Sequence, residues 1–320
     1  MITIQENSKP DINWNKRLIN SGLGTIQQVS EMGKIFEKRG NFPRYFHFVD
    51  NKGEIVGQLL TETIDRFEKK GKMGKLLKKI PTLKNKINVW IYGPIIFDNS
   101  LSSELYNSLG KFFISEKSFV RGNTHPLRTG NAKILSDKFT VMNWSTSLID
   151  LTKPLDELYQ NIHKHSGQKN IQRAIKKGIT VEQVNENSIS DYNELINESK
   201  NESDSIELRR YWWHLLQPFG YSIFIAKKDG IPVGGLGFSY MNNFIIESGV
   251  ARSKIDFDEK LNAQDLIKWK IIEWGVKNKM KYYNLAGFNP YPTSKKEEGI
   301  KRYKEKWGGD IVNYWLIRNF

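Results

Sequence analysis

Cysteine is absent from this 320-residue chain, which excludes disulfides and thiolate chemistry. The five histidines are scattered and never fall at paired metal-ligand spacing, so no metal site is read here. No apolar run is long enough to cross a bilayer, and the polar start Met1-Ile2-Thr3-Ile4-Gln5-Glu6-Asn7 lacks the pattern of a signal peptide. A cytoplasmic location is the resulting expectation. P-loops, dinucleotide loops, serine-hydrolase elbows, HExxH and paired-cysteine signatures are missing as well, which disfavours a hydrolase. Gly234-Gly235-Leu236-Gly237 runs into Phe238-Ser239-Tyr240 rather than a helix, so it reads as strand glycines that permit close backbone approach.

Proline and glycine are modest too, at 10 and 25 residues, against 38% hydrophobic and 12% aromatic content. That balance describes a folded chain able to bury one large core or two ordinary ones. The formal net charge is +14. Such an excess favours anionic partners: nucleic acid, a phosphorylated small molecule, an acidic glycan or a membrane surface. It does not choose among them, and a Lys- and Asn-rich genome would produce the same excess.

One hairpin pattern occurs twice. Phe46 to Gly57 and Ile223 to Gly234 align without a gap, each an apolar strand, a polar turn with glycine at the same place (Gly53, Gly230), and a second strand ending in glycine. Two related domains in tandem are the simplest cause, although polar turns with glycine also resemble one another by chance. Helical spacing of Leu105, Tyr106, Leu109, Phe112 and Phe113, and β formers at Ile87-Asn88-Val89-Trp90-Ile91-Tyr92, mark the first half as mixed α/β. The second half restarts at Ser145 and alternates helices with a strand meander, closing on a strand near Val312 to Ile317. The expected domains are 1–143 and 144–320.

Residues 66–86 stand apart. Met73, Leu76, Leu77 and Ile80 recur at helical spacing among lysines, the pattern of a basic amphipathic helix. It suits contact with polyphosphate or with an anionic membrane at its inner face, but four apolar residues bury too little for firm membrane binding, which favours a surface helix packed on its own domain.

The densest run is C-terminal: Asn284-Leu285-Ala286-Gly287-Phe288-Asn289-Pro290, then Gly299-Ile300-Lys301-Arg302-Tyr303-Lys304-Glu305-Lys306-Trp307-Gly308-Gly309. A strand end, a short basic helix and paired glycines place Lys304 near the end of the strand, where a lysine can neutralise a phosphate or an oxyanion. The second run resembles the "G-L-x-x-F-K-x-x-F-G-G" ending of the FemABX family of peptidoglycan interpeptide-bridge aminoacyltransferases and their FemAB-like relatives. Tyr283 to Gly287 resembles the family's "Y-D-L-G-G", with Asn284 and Ala286 as departures. Lys169 to Gly178 resembles its "R-x-x-x-R-K-A-x-K-x-G" segment, Tyr92-Gly93-Pro94 with Asp98 its "R-G-P" strand and following acid, and Gln28 to Lys38 its first helix.

The resemblance implies an α/β fold of two tandem GNAT-like domains with mixed sheets flanked by helices, and acyl transfer to an amine. It implies Lys304 for carbonyl or phosphate stabilisation and Asp98 to orient or deprotonate the acceptor amine, against the plainer reading of Asp98 as a turn residue. Lys38, Arg173, Arg209 and Tyr303 are the candidate substrate-binding residues. The acceptor would be a phosphorylated, lipid-linked or nucleotide-linked cell-envelope peptide or glycan precursor. The donor would be aminoacyl-tRNA or acyl-CoA as co-substrate, with no tightly bound cofactor and a monomeric protein. Residues 179–221 leave no room for a long coiled-coil arm, and Arg252 to Ala263 lacks the GNAT pyrophosphate loop "R/Q-x-x-G-x-G/A". A non-enzymatic nucleic-acid-binding protein is the rival of a different class.

Overall fold

The computed structural model describes residues 1–65, 86–200 and 204–320. The amphipathic stretch read over 66–86 lies outside them, apart from Lys86. Packing divides the chain into one unit of Met1–Trp144 with Asn313–Phe320 and a second of Ser145–Val312. The first break falls beside the expected one. The C-terminal strand differs from expectation: residues from Asn313 onward pack with unit 1 rather than closing unit 2.

In unit 1 the strand order is β1 (Thr3–Asn7), β2 (Phe42–Val49), β3 (Ile55–Asp65), β4 (Lys86–Trp90), β6 (Phe119–Asn123) and β13 (Asp310–Arg318, from Asn313). The two-residue β5 (Ile95–Ile96) pairs β3. Among the described strands of unit 1, only β4 and β6 pair in parallel. Helix α1 (Trp14–Asn20) and α2 (Ser30–Lys38) lie before the first hairpin, and α3 (Ser102–Ser115) buries Leu105, Tyr106, Leu109 and Phe113 as their spacing predicts. They join Phe46, Phe48, Leu59, Trp90 and Val120 in one core.

Gly122 shows how tightly that core closes. A Cβ there would sit 1.8 Å from the Trp90 ring. Trp90 cannot yield, since its Nε1 donates to Gly93 O at 2.9 Å and its ring stacks on Phe113. Gly122→Ala is expected to cost about 2 kcal/mol by overpacking, read as a lower urea midpoint with an unchanged slope. An unchanged midpoint would show that the ring has room to move.

In unit 2 the order is β7 (Thr140–Asp150, from Ser145), β12 (Tyr282–Phe288), β11 (Phe244–Arg252), β10 (Ile231–Met241), β9 (Tyr221–Lys228) and β8 (Ile179–Gln183). Among the described residues of unit 2, α4 (Leu155–Asn161), α5 (Lys169–Lys176), α6 (Ile189–Lys200) and α7 (Ile206–Leu216) come before β11, and α8 (Lys254–Asp258) follows it. Next comes α9 (Ala263–Lys277), which packs on α5, β9 and β10 and is buried along most of its length. The last is α10 (Lys295–Glu305).

The repeated hairpin exists in both units, as β2–β3 and β9–β10, and Gly53 and Gly230 both take positive φ, +85° and +80°. A side chain at either would be strained. The glycines of β10 do permit close approach: a Cβ on Gly235 would meet Tyr192 at 2.8 Å.

The strands that matter most for chemistry are β11 and β12. They pair in parallel only over Phe244–Ile246 with Tyr282–Asn284, though both continue further. At the same level β12 loses register with β7 between Asn284 and Gly287. The sheet of unit 2 is thus opened at one seam, where backbone carbonyls leave the ladder.

Candidate active site

Helix α10 carries the lysine to that seam. Ser294 caps its N-terminus by accepting from Glu297 N, and Glu297 and Glu298 occupy the first turn, where they favour the helix dipole. Past its other end Trp307 is buried, and Gly308 turns the chain at φ +72°, its Cα so close to Asn161 that a Cβ would meet that carbonyl oxygen at 2.4 Å. The motif glycine is needed there.

Lys304 Nζ donates to Ala286 O and Gly287 O, each at 2.8 Å. These carbonyls are turned by the local backbone. Ala286 sits at φ +61°, and Asn284 Oδ1 accepts from Ala286 N at 2.8 Å and from Thr146 Oγ1 at 2.5 Å. Of the two departures from the family's strand end, Asn284 supports this bend through its side chain, whereas Ala286 takes a backbone conformation that glycine would adopt with less strain. Burial pulls the Lys304 ammonium down to about 8; the Glu247 carboxylate opposes that fall, and the Lys268 charge adds to it.

Two buried ion pairs flank the lysine's helix. Lys268 of α9 pairs with Glu247 of β11, at 3% and 6% side-chain exposure, and Tyr283 OH also donates to Glu247, at 2.7 Å. Lys306 pairs with Asp265, whose other oxygen accepts from Asn170 Nδ2 at 2.9 Å. The Tyr303 ring lies by both cations, with Lys306 Nζ 4.2 Å and Lys268 Nζ 5.6 Å from its centroid. Its hydroxyl is buried and has no hydrogen-bond partner among the described residues. Burial, aided by the Asp265 and Glu247 charges, pushes that phenol well above its usual range. Counting charges across this group, Lys304 is the cation left without a carboxylate of its own. On the Lys306 side a cavity of about 440 Å³ opens, lined by Asn161, His163, Ser166, Arg302, Glu305 and Lys306.

The remaining sequence candidates are placed as follows. Arg173 is exposed on α5 and donates to Asn170 Oδ1 at 3.3 Å. Arg209 is 6% exposed; its guanidinium pairs with Asp204 and donates to Asn193, so it is committed inside unit 2. Lys38 ends α2, exposed, in unit 1. Asp98, also in unit 1, accepts from Ser100 N at 2.9 Å and Ser100 Oγ at 2.7 Å, the geometry of a turn cap. Those bonds hold its carboxyl below the usual range.

Sequence reading missed Glu247, Asp265, Lys268 and Lys306. A signal was present: Asp265 and Lys268 lie in a helix whose apolar content marks it as buried, and a charge in such a helix needs a buried partner. Among the described residues no three His, Asp or Glu side chains gather to hold a metal.

No protein-family model matches the chain, and no curated protein sequence matches it. Solved structures do. The crystal structure of FemX superposes with a TM-score of 0.69 over 97% of this chain and 96% of its own, at 12% identity. L-PGS from Bacillus licheniformis gives 0.60 over 98% and 93%, at 11% identity. A tandem GNAT protein from the clavulanic acid biosynthesis pathway gives 0.54 over 100% and 99%, at 9% identity. At these identities the likeness speaks for fold, and the chain has a FemX-like fold of two GNAT-like domains in tandem.

Proposed function

We propose that the protein is an N-acyltransferase that moves an aminoacyl group from aminoacyl-tRNA to an amine of a cell-envelope peptide or glycan precursor. The observation that carries this reading is Lys304, a desolvated cation fixed at the open end of β12 in a FemX-like fold. The acceptor nitrogen attacks the ester carbonyl; the C–N bond forms, the C–O bond to the ribose breaks, and the amine's proton ends on the ribose oxygen. The Lys304 ammonium faces the oxyanion that develops between those events.

Tyr303 is proposed to offer its unpartnered hydroxyl to substrate, and Arg173 and Lys38 to hold phosphate. Asp98 is proposed to orient the acceptor amine by accepting a hydrogen bond from its N–H; its lowered pKa suits it less to proton removal.

Acyl-CoA as donor is disfavoured by α9. Helix N-termini of this kind bind anions through free backbone N–H groups. Here Asp256, fully buried, already accepts from Ala263 N at 3.0 Å and pairs with Arg252. An N-terminal N–H of this helix is thus already taken by an internal carboxylate.

Incubation with a charged tRNA pool, or with acyl-CoA, and a panel of amine-bearing envelope precursors tests the reading through the acceptor's mass. Aminoacylation only with charged tRNA is expected. Consumption of acyl-CoA instead would overturn the donor assignment. Salt-sensitive RNA binding that ignores aminoacylation, with no transfer, would favour the nucleic-acid-binding rival.

The pH profile tests the lysine. An amine is charged below its pKa, so kcat/KM should fall as pH rises through about 8. An active Lys304→Arg variant should lose that descending limb, since arginine stays charged. A rate that climbs through this range in the wild type would make the neutral amine the working form.

A further inference from the structure

Unit 1 holds an apolar cavity with a pair of uncompensated cations at its edge. Strand register places Ile64 beside Ile87, Val89 beside Arg121, and Leu316 beside Asn123, all on one sheet face. Helices α1 and α2 cover the β2–β3 end of this sheet, where Arg17 Nε donates to Gln58 Oε1 and α2 packs on β2 and β3. Further along, a cavity of about 340 Å³ is walled by Ile64, Ile87, Val89, Trp144, Leu316 and Phe320, with Arg121 among its lining residues. That volume lies within the range of small-molecule sites.

Arg121 and Arg318 are direct cross-strand partners. Like charges placed directly opposite repel, and such pairs destabilise a sheet. Among the described residues neither guanidinium has an ion pair, and Arg318 Nε is buried without a hydrogen-bond partner. Glu62, the acid on the same row, does not serve them. Val89 separates it from Arg121, and its carboxylate accepts from Asn41 Nδ2 at 2.6 Å. Two adjacent arginines without a counter-charge present the planar donor pattern that phosphate oxygens satisfy, and the apolar wall beside them offers cover for hydrocarbon.

We propose that this cavity binds a phosphorylated single-chain lipid, with the hydrocarbon against the apolar wall and the phosphate between Arg121 and Arg318. The phosphate relieves the arginine repulsion; the chain removes apolar surface from water. This inference stands on unit 1 alone and does not depend on the transferase reading.

Calorimetric titration of the full chain with farnesyl monophosphate, below its micelle concentration, tests it. Saturable binding at one equivalent is expected, with farnesol (chain without charge) and inorganic phosphate (charge without chain) each at least tenfold weaker. The double variant Arg121→Gln/Arg318→Gln should weaken binding at least tenfold while its melting temperature stays level or rises, because a like-charge pair has gone. Lys111→Gln/Lys117→Gln removes the same charge elsewhere in unit 1 and should bind as wild type. Absence of saturable binding, equal binding of farnesol, or equal loss in the Lys111/Lys117 variant would each overturn the proposal.

Discussion

Replacing Lys304 with alanine is expected to lower kcat about 100-fold while the melting temperature moves little. One group that stabilises a developing oxyanion contributes about 3 kcal/mol to the transition state, and each 1.36 kcal/mol is tenfold in rate. The stability side nearly cancels. The substitution removes two hydrogen bonds, to Ala286 O and Gly287 O, but also removes a cation whose burial is unfavourable, as its lowered pKa records. Thr146 Oγ1 lies 2.9 Å from Ala286 O, and its single proton can turn from Asn284 Oδ1 to that carbonyl once the lysine is gone. Single-turnover rates with a saturating donor, alongside thermal melts, separate the two effects. Wild-type turnover in the variant would remove Lys304 from the chemistry; a rate loss that tracks unfolding would make it structural. Lys304→Met, which keeps the aliphatic stem, distinguishes lost packing from lost charge.

Much of this arrangement is legible in the sequence because local rules decide it. The glycines at 53 and 230 announce turns that only positive φ closes, and the structure places both there. The α3 spacing nominates five residues, of which Leu105, Tyr106, Leu109 and Phe113 are buried and Phe112 is half-buried against them. The run from Gly299 to Gly309 puts Lys304 on a short helix whose lysine meets a strand end, as read. What was not legible depends on distant partners. Tyr314 to Ile317 form an unbroken apolar run with no polar alternation to mark a face, so their pattern fits either sheet; pairing of Leu316 with Asn123 and Ile317 with Gly122 decides for unit 1. Arg209 looks like a free cation in sequence, yet Asp204 and Asn193 hold it inside the packing of α6 and α7. The neighbours of Lys304 were hidden for the same reason, since Glu247, Lys268 and Tyr283 come from three separate elements.

Those neighbours give the other large effect. Glu247→Ala is expected to destabilise the protein by about 3 to 5 kcal/mol, because it leaves Lys268 buried and uncompensated and strips Tyr283 OH of its acceptor. Replacing both ions by apolar groups of similar size, Glu247→Leu with Lys268→Met, should recover most of that loss; adding Tyr283→Phe removes the last unsatisfied group. If the single and double variants melt alike, the pair is not coupled and the site is wetter than its exposure indicates. The milder Glu247→Gln reports on Lys304. The carboxylate raises the Lys304 pKa and Lys268 lowers it, so neutralising Glu247 alone leaves only the repulsive neighbour. The Lys304 ammonium then loses its proton more readily, and the descending limb of kcat/KM should move to lower pH than in the wild type. A limb that stays in place would assign it to a group other than Lys304. Because stability is read by denaturation and the limb by pH–rate profile, a pair that matters only for folding changes the first without moving the second.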